Sequence, residues 1–223
     1  MTHYYTDNAL LKSEPKEIEF KFDNEEFVFT TDNGVFSKDE VDYGSYLLLK
    51  CVNQRPLGTE ILDLGCGYGP IGIILARFHP SARIDLVDVN SRATELARKN
   101  GLKNKVNINV YQTDDICTLN KQFDTVILNP PIRAGKQVIF SLYEKANTVL
   151  KTGGSLYIVI QKKHGAKSSF DKLQKLFTEV NMLDRVNGHW LIKAIKWQFY
   201  IVFFWKDRRV YDRKTNLQQY TIW

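Results

Sequence analysis

The feature that most constrains this chain is the stretch at 59–72, TEILDLGCGYGPIG. Ile61, Leu62 and Leu64 form an apolar run short enough for a buried parallel strand. Pro70 suits the first position of a helix, because its missing N–H would be unpaired there. Between them fall Gly65, Gly67 and Gly69. Residues without a Cβ can take φ > 0 and leave room for a ligand against bare backbone at a helix N-terminus. Strand, tight turn and helix in this order predict a ligand-binding loop at the edge of an α/β sheet.

The spacing narrows the ligand. A dinucleotide loop reads Gly-x-Gly-x-x-Gly, sets a pyrophosphate on the helix N-terminus and has an acid roughly 20 residues later for the ribose. Here the third glycine comes one residue early and Asp63 precedes the loop, where a carboxylate would repel a phosphate. A ligand with an ammonium group and a ribose but no phosphate gains from Asp63 instead. Asp88, at the end of the next apolar run (IDLVDV), stands where a ribose-binding acid is expected. S-adenosylmethionine has that shape, with Gly65, Cys66, Gly67 and Gly69 as the loop positions in its reach. A second motif, Asn129-Pro130-Pro131-Ile132, follows another strand-like run at 125–128, which would end at the same sheet edge.

With these motifs in place the sequence resembles class I S-adenosylmethionine-dependent methyltransferases, and within them the small-domain relatives of the bacterial 16S rRNA guanine-N2 methyltransferase. The likeness spans residues 1 to about 195. It rests on GVFSKDEVDYGSYLLL (34–49), ILDLGCGYGPIG (61–72), LVDVN (86–90), NPPIRAGK (129–136) and IVIQKKHGA (158–166). The resemblance implies S-adenosylmethionine as cofactor, RNA as partner (16S rRNA or the small ribosomal subunit) and guanine N2 as the methyl acceptor. It places Phe36 and Ser45 near the methionine end of the cofactor. Of the acids in Thr113-Asp114-Asp115 it favours Asp114 as the acceptor for the adenine amino group, a solvated turn acid being the competing reading. Related Asn-Pro-Pro motifs serve adenine N6 and protein glutamine amides too, so these remain alternative substrates; a cofactor-binding assembly factor without turnover is a third possibility.

Read in order, EIEFKF and FVFTT around DNEE predict an N-terminal β-hairpin. Ser37 with Glu40 matches a capping box ahead of a helix that carries Leu47, Leu48, Leu49 and Val52. A helix at 70–78, a strand at 83–89, a helix from Asn90 or Ser91 to Lys99 closed by Gly101, and a strand at 106–111 follow. Next come a strand at 122–128, a helix to about Leu150, a turn at Gly153-Gly154, a strand at 155–161 and a helix at 167–178. Two strands around Asn187-Gly188 end the series. The fold class is α/β: a Rossmann-like, seven-stranded, mostly parallel sheet with an antiparallel C-terminal hairpin, helices on both faces and the N-terminal β-hairpin in front. Domain organisation is expected as a hairpin extension at 1–36, a methyltransferase domain at 37–196 and an atypical tail at 197–223.

An exocyclic base amine is a poor nucleophile, because its lone pair is delocalised into the ring. The Asn129 side-chain carbonyl and the Pro130 backbone carbonyl can accept its two hydrogens and favour a pyramidal nitrogen with the lone pair aimed at a methyl donor. As positive charge develops on nitrogen the same dipoles stabilise it. Pro130 and Pro131 hold this peptide rigid, and Ile132 offers the base an apolar edge. Arg133, Lys136, Lys162, Lys163 and His164 are expected near the mouth of the site, where they could hold phosphates, which position without specifying sequence.

Composition sets the setting. The 223 residues carry a net charge of +6, which suggests an acidic partner. Six of the 31 Lys/Arg but only two of the 25 acids lie in 196–223, so the rest is nearly balanced and nucleic-acid binding must rest on local patches. The three cysteines show no CxxC pair and no His at metal-ligand spacing; they read as reduced thiols, with no metal site. The N-terminus lacks the pattern of a secretion signal and no apolar run is long enough for a membrane span, so a cytoplasmic location is expected. The tail, WQFYIVFFWKDRRVYDRKTNLQQYTIW, holds three of the four tryptophans and departs from the family pattern.

Overall fold

The computed structural model describes residues 11–197; the tail beyond Trp197 lies outside them. Lys16–Phe22 (β1) and Glu25–Thr31 (β2) pair as the expected antiparallel hairpin. Its turn is Asp23-Asn24 alone, at φ 43° and 67°, and both glutamates of the DNEE tetrad belong to β2.

Glu60–Leu64 (β3), Arg83–Asp88 (β4), Asn109–Gln112 (β5), Phe123–Leu128 (β6), Leu150–Gln161 (β7), Glu179–Val186 (β8) and His189–Ile195 (β9) form a seven-stranded sheet in the order β5-β4-β3-β6-β7-β9-β8. The pairs from β5 to β7 are parallel, and β9 runs antiparallel between β7 and β8. Side chains on a strand alternate between faces, and Ile61 and Leu62 duly enter different apolar clusters. The first cluster includes Tyr43–Val52 (α1), Pro70–Phe78 (α2), Ser91–Lys103 (α3) and the hairpin phenylalanines; the second includes Lys136–Val149 (α4) and Ala166–Leu176 (α5). Helices therefore cover both faces. No helix among the described residues is long and apolar enough to cross a membrane.

Local signals misplaced several boundaries. Ser37 sits at φ 51° in a turn, its Oγ donating to Glu40 O, and the cap of α1 is Asp42, which accepts from Ser45 N at 3.0 Å. Helix α3, capped by Asn90 as expected, runs through Gly101 to Lys103. A Cβ at Gly101 would stand 2.7 Å from Ile108 Cδ1, so this glycine admits the incoming chain rather than ending the helix. Strand β7 passes through Gly153-Gly154, because Gly153 N donates to Lys196 O (2.6 Å) and Lys196 N to Gly154 O (3.0 Å).

The hairpin is held by a device that no local pattern shows. Asn100 of α3 accepts from Thr30 N (2.7 Å) and donates to Thr30 O (3.0 Å) and Tyr68 O (2.9 Å). One turn on, Asn104 does the same for Val28 N (3.1 Å) and Val28 O (2.9 Å). The two amides act as a strand edge for β2. Asn100→Ala leaves these buried groups without partners and is expected to destabilise the fold by about 2–4 kcal/mol, measured by urea unfolding; a loss below about 0.5 kcal/mol would show that water replaces the amide.

Candidate functional site

From β3 the chain winds outward through β4 to β5, then returns to β6 on the other side of β3. That reversal is the switch point at which open α/β sheets bind ligands, outside the carboxyl ends of the strands. Asp88 ends β4, the glycine loop follows β3 and Asn129 follows β6, so three adjacent strands deliver the candidate residues to one edge.

The loop's backbone donors are engaged inside the protein. Gly65 N and Cys66 N donate to Val87 O at 2.8 and 3.0 Å, and Gly69 N to Cys66 O at 3.0 Å. Gly67 N donates to Asp88 Oδ2 at 2.8 Å and Gly72 N to Asp63 Oδ2 at 2.8 Å. These N–H groups are not free to cradle a pyrophosphate, so the loop fits a ligand that reaches it without one. Gly65, Gly67 and Gly69 have φ of 72°, 56° and 95°. A Cβ at Gly67 would meet nothing within 4 Å, which leaves open space over the loop. At Gly69 it would stand 2.9 Å from Ile73 Cδ1 and 3.2 Å from Ala97 Cβ, so that glycine serves packing.

The pocket over the loop is walled by Phe36, Ser45, Gly65, Cys66, Gly67, Asp88, Asn129, Pro130 and Pro131 among the residues read from the sequence, and by Asp42 and Tyr68, which that reading missed. Asp88 keeps part of its surface exposed there. Its Oδ1 accepts from Asn90 N at 2.9 Å, and burial raises its pKa. Cys66 is buried, its thiol pushed well up by that burial, with Sγ 3.4 Å from Gly67 O; it fills the loop as a small residue. Tyr68 is buried, and its hydroxyl lies 3.3 and 3.4 Å from the carbonyls of Ser37 and Glu40, tying the segment before α1 to the loop. Asn129 donates from Nδ2 to Asp42 Oδ2 and to Ser45 Oγ, each at 2.9 Å. An aspartate directly before an apolar helical run is an N-cap signal that the nearby Ser37 and Glu40 pattern obscured.

Asp63, Gly69, Asp114 and Ile132 do not line this pocket. Asp63 lies beneath the loop, fully buried on Gly72. Asp114 is exposed in the turn after β5, where its neighbour Asp115 caps a short 3-10 turn by accepting from Cys117 N. Arg133 and Lys136 follow the end of β6, and Lys162, Lys163 and His164 follow the end of the adjacent β7; all are exposed. A roomier cleft lies at the start of β4 and β5. Three of its four cations are paired, Arg83 and Lys121 with Asp85 and Arg77 with Glu25. Among the described residues no group of His, Cys, Asp and Glu is arranged to hold a metal.

A parallel sheet of this order, with a cradle for a nucleoside lacking phosphates at its switch point, defines the Rossmann-like fold of the methyltransferases. Residues 26–193 match the methyltransferase small domain, and the chain belongs to that family. It is 44% identical over 197 residues to the uncharacterized protein YbxB of Bacillus subtilis, covering 87% of this chain and 98% of that one. To ribosomal RNA small subunit methyltransferase C of Haemophilus influenzae it is 37% identical over 130 residues, 56% of this chain and 39% of that protein. A solved structure of the T. thermophilus 16S rRNA N2 G1207 methyltransferase (RsmC), in complex with AdoMet and guanosine, superposes with a TM-score of 0.74 at 25% identity, over 83% of this chain and 52% of that one. The chain thus spans about 39% of the one rRNA methyltransferase and about half of the other.

Asp63 makes the site's core sensitive to pH. Burial pushes its carboxyl up to about 7, opposed by the Gly72 hydrogen bond and aided by the charge of Asp88. A folded-state pKa above the unfolded one means the native protein binds the extra proton, so this contribution to stability falls as pH rises between about 4 and 7 and is flat above. Asp63→Asn keeps an acceptor for Gly72 but does not titrate. From pH 4.5 to pH 8 the wild type should lose about 3 kcal/mol relative to this variant in denaturant unfolding; a difference independent of pH would contradict the buried titration.

Proposed function

We propose that this chain transfers a methyl group from S-adenosylmethionine to an exocyclic base amine of RNA, with guanine N2 of 16S rRNA as the acceptor. When bound, S-adenosylmethionine supplies a methyl group activated by its sulfonium. Asp88 accepts from the ribose hydroxyls in charge-assisted hydrogen bonds, Gly65, Cys66 and Gly67 present their open face to the nucleoside, and Asp114 accepts from the adenine amino group. Phe36 and Ser45 border the methionine end, while Asp63 and Gly69 shape the loop from behind. The backbone donors already engaged by Val87, Asp88 and Asp63 favour a nucleoside without phosphate over a dinucleotide.

The observation that carries the reading is the state of Asn129. Both hydrogens of its amide are held by Asp42 and Ser45, so the oxygen is the end left to accept. With the Pro130 carbonyl it accepts the two hydrogens of a base amine, localises the nitrogen lone pair and stabilises the positive charge that grows there. Pro131 keeps the peptide from relaxing and Ile132 meets the edge of the base. Arg133, Lys136, Lys162, Lys163 and His164, exposed beyond the ends of neighbouring strands, hold phosphates of the same RNA. The T. thermophilus protein, solved with AdoMet and guanosine, supports guanine as the base.

Transfer of tritium from labelled cofactor to 16S rRNA, small subunits, DNA and total protein tests this directly. Label is expected in the rRNA or the subunit and at guanine N2 after digestion; label in adenine or in protein would move the acceptor to those amines, and no label anywhere would leave a cofactor-binding assembly factor. Asn129→Ala should cut single-turnover transfer at least ~100-fold with cofactor affinity and melting temperature nearly intact, whereas near-wild-type turnover would remove Asn129 from the chemistry.

A further inference from the structure

Asparagine has two nearly isosteric ends, and only one of them serves the reaction. If the amide were reversed, its NH2 would face the hydrogens of a substrate amine, and donor against donor would hold the nucleophile away. Something must fix the orientation. Ser45 Oγ lies 2.9 Å from Asn129 Nδ2, but a hydroxyl both donates and accepts and would tolerate either end. Asp42 Oδ2, also at 2.9 Å, only accepts as a carboxylate oxygen. A reversed Asn129 would set its carbonyl oxygen against it.

Resting on the reading of Asn129 given above, we propose that Asp42 is the positioning residue of the site: its carboxylate selects the orientation of the Asn129 amide and, through the shared hydrogen bond, polarises it so that Oδ1 accepts more strongly. Polarisation along such a chain is cooperative in a low-dielectric surrounding. The same Oδ2 caps α1 by accepting from Ser45 N at 3.0 Å, so the carboxylate is fixed by the helix before it fixes the asparagine. Gly44 is part of the device. A Cβ there would stand 2.8 Å from Asp42 Oδ2, 3.6 Å from Val159 Cγ1 and 3.7 Å from Asn129 Nδ2, so a larger residue would wedge the pair apart. The run Asp42-Tyr43-Gly44-Ser45 thus works as a unit with Asn129, 84 residues away from Ser45.

Asp42→Ser separates the roles, since serine is as good an N-cap as aspartate but its short, ambivalent hydroxyl carries no orientation. The expected result is a fall in kcat of about 10–100-fold, with cofactor affinity and melting temperature close to wild type, and with no further loss when the change is added to Asn129→Ala. Asp42→Asn, which can still accept from both donors, should recover part of the rate. A readout that needs no turnover is the side-chain NH2 of Asn129 in an amide NMR spectrum, assigned by its disappearance in Asn129→Ala. In the wild type its two protons should be separate and slow to exchange with solvent, and in Asp42→Ser they should collapse toward the values of an exposed asparagine. An unchanged NH2 signature in Asp42→Ser, or a rate loss that adds in full to that of Asn129→Ala, would overturn the proposal. Absence of methyl transfer by the wild type would instead count against the proposed function, and the NMR comparison would still decide the role of Asp42.

Discussion

The constraint on which the rest of the site depends is the attachment of the glycine loop to β4. Val87 O takes the N–H groups of Gly65 and Cys66, and Asp88 takes that of Gly67. These bonds oblige β3 and β4 to end together and set the Asp88 carboxylate beside the loop it also holds. They leave the loop with shape but few donors. The preference for a nucleoside over a dinucleotide therefore follows from where the hydrogen bonds go, and the glycine count alone would not have supplied it.

The other half of the site comes from helix capping and sheet order. Because β6 lies next to β3, the peptide at 129–131 rises beside the loop, and because α1 packs on β7 through the first apolar cluster, its capped N-terminus meets that peptide. Asp42, Ser45 and Asn129 are in register for the same reason. Tyr68 draws the 37–40 turn onto the loop. The walls of the pocket are thus carried on rigid elements, which is where the proposed reaction, dependent on the aim of one lone pair, needs them.

Much of this was legible in the sequence wherever the signal was local. The strand at 60–64, the loop, Pro70 at the helix start and the Asn187-Gly188 hairpin depend on turn chemistry within a few residues, and they stand where that chemistry puts them. What was not legible depends on distant partners. Ser37 and Glu40 matched a capping box, yet Tyr68 and the bond from Thr31 Oγ1 to Lys38 O (2.6 Å) hold that segment as a turn and leave the cap to Asp42. Gly101 resembled a helix end until Ile108 packed on it, and the glycine pair in β7 became strand because Lys196 bonds it. Asn100 and Asn104, which the local signals left beyond the end of the helix, bind a hairpin some 70 residues earlier. Among the site residues, the glycines, Asp88 and Asn129 announced themselves by their motifs, and Asp42 and Tyr68 did not.

The central claim is that Asp88 and Asn129, set at neighbouring strand ends, hold the two reactants of one methyl transfer. The measurement that tests it most directly is a crystal structure of the chain with S-adenosylhomocysteine and guanosine. The predicted result has ribose hydroxyls on the Asp88 carboxylate and the guanine amino nitrogen within hydrogen-bond distance of Asn129 Oδ1 and the Pro130 carbonyl. Cofactor bound away from Asp88, or a base whose amino group turns away from Asn129, would contradict it.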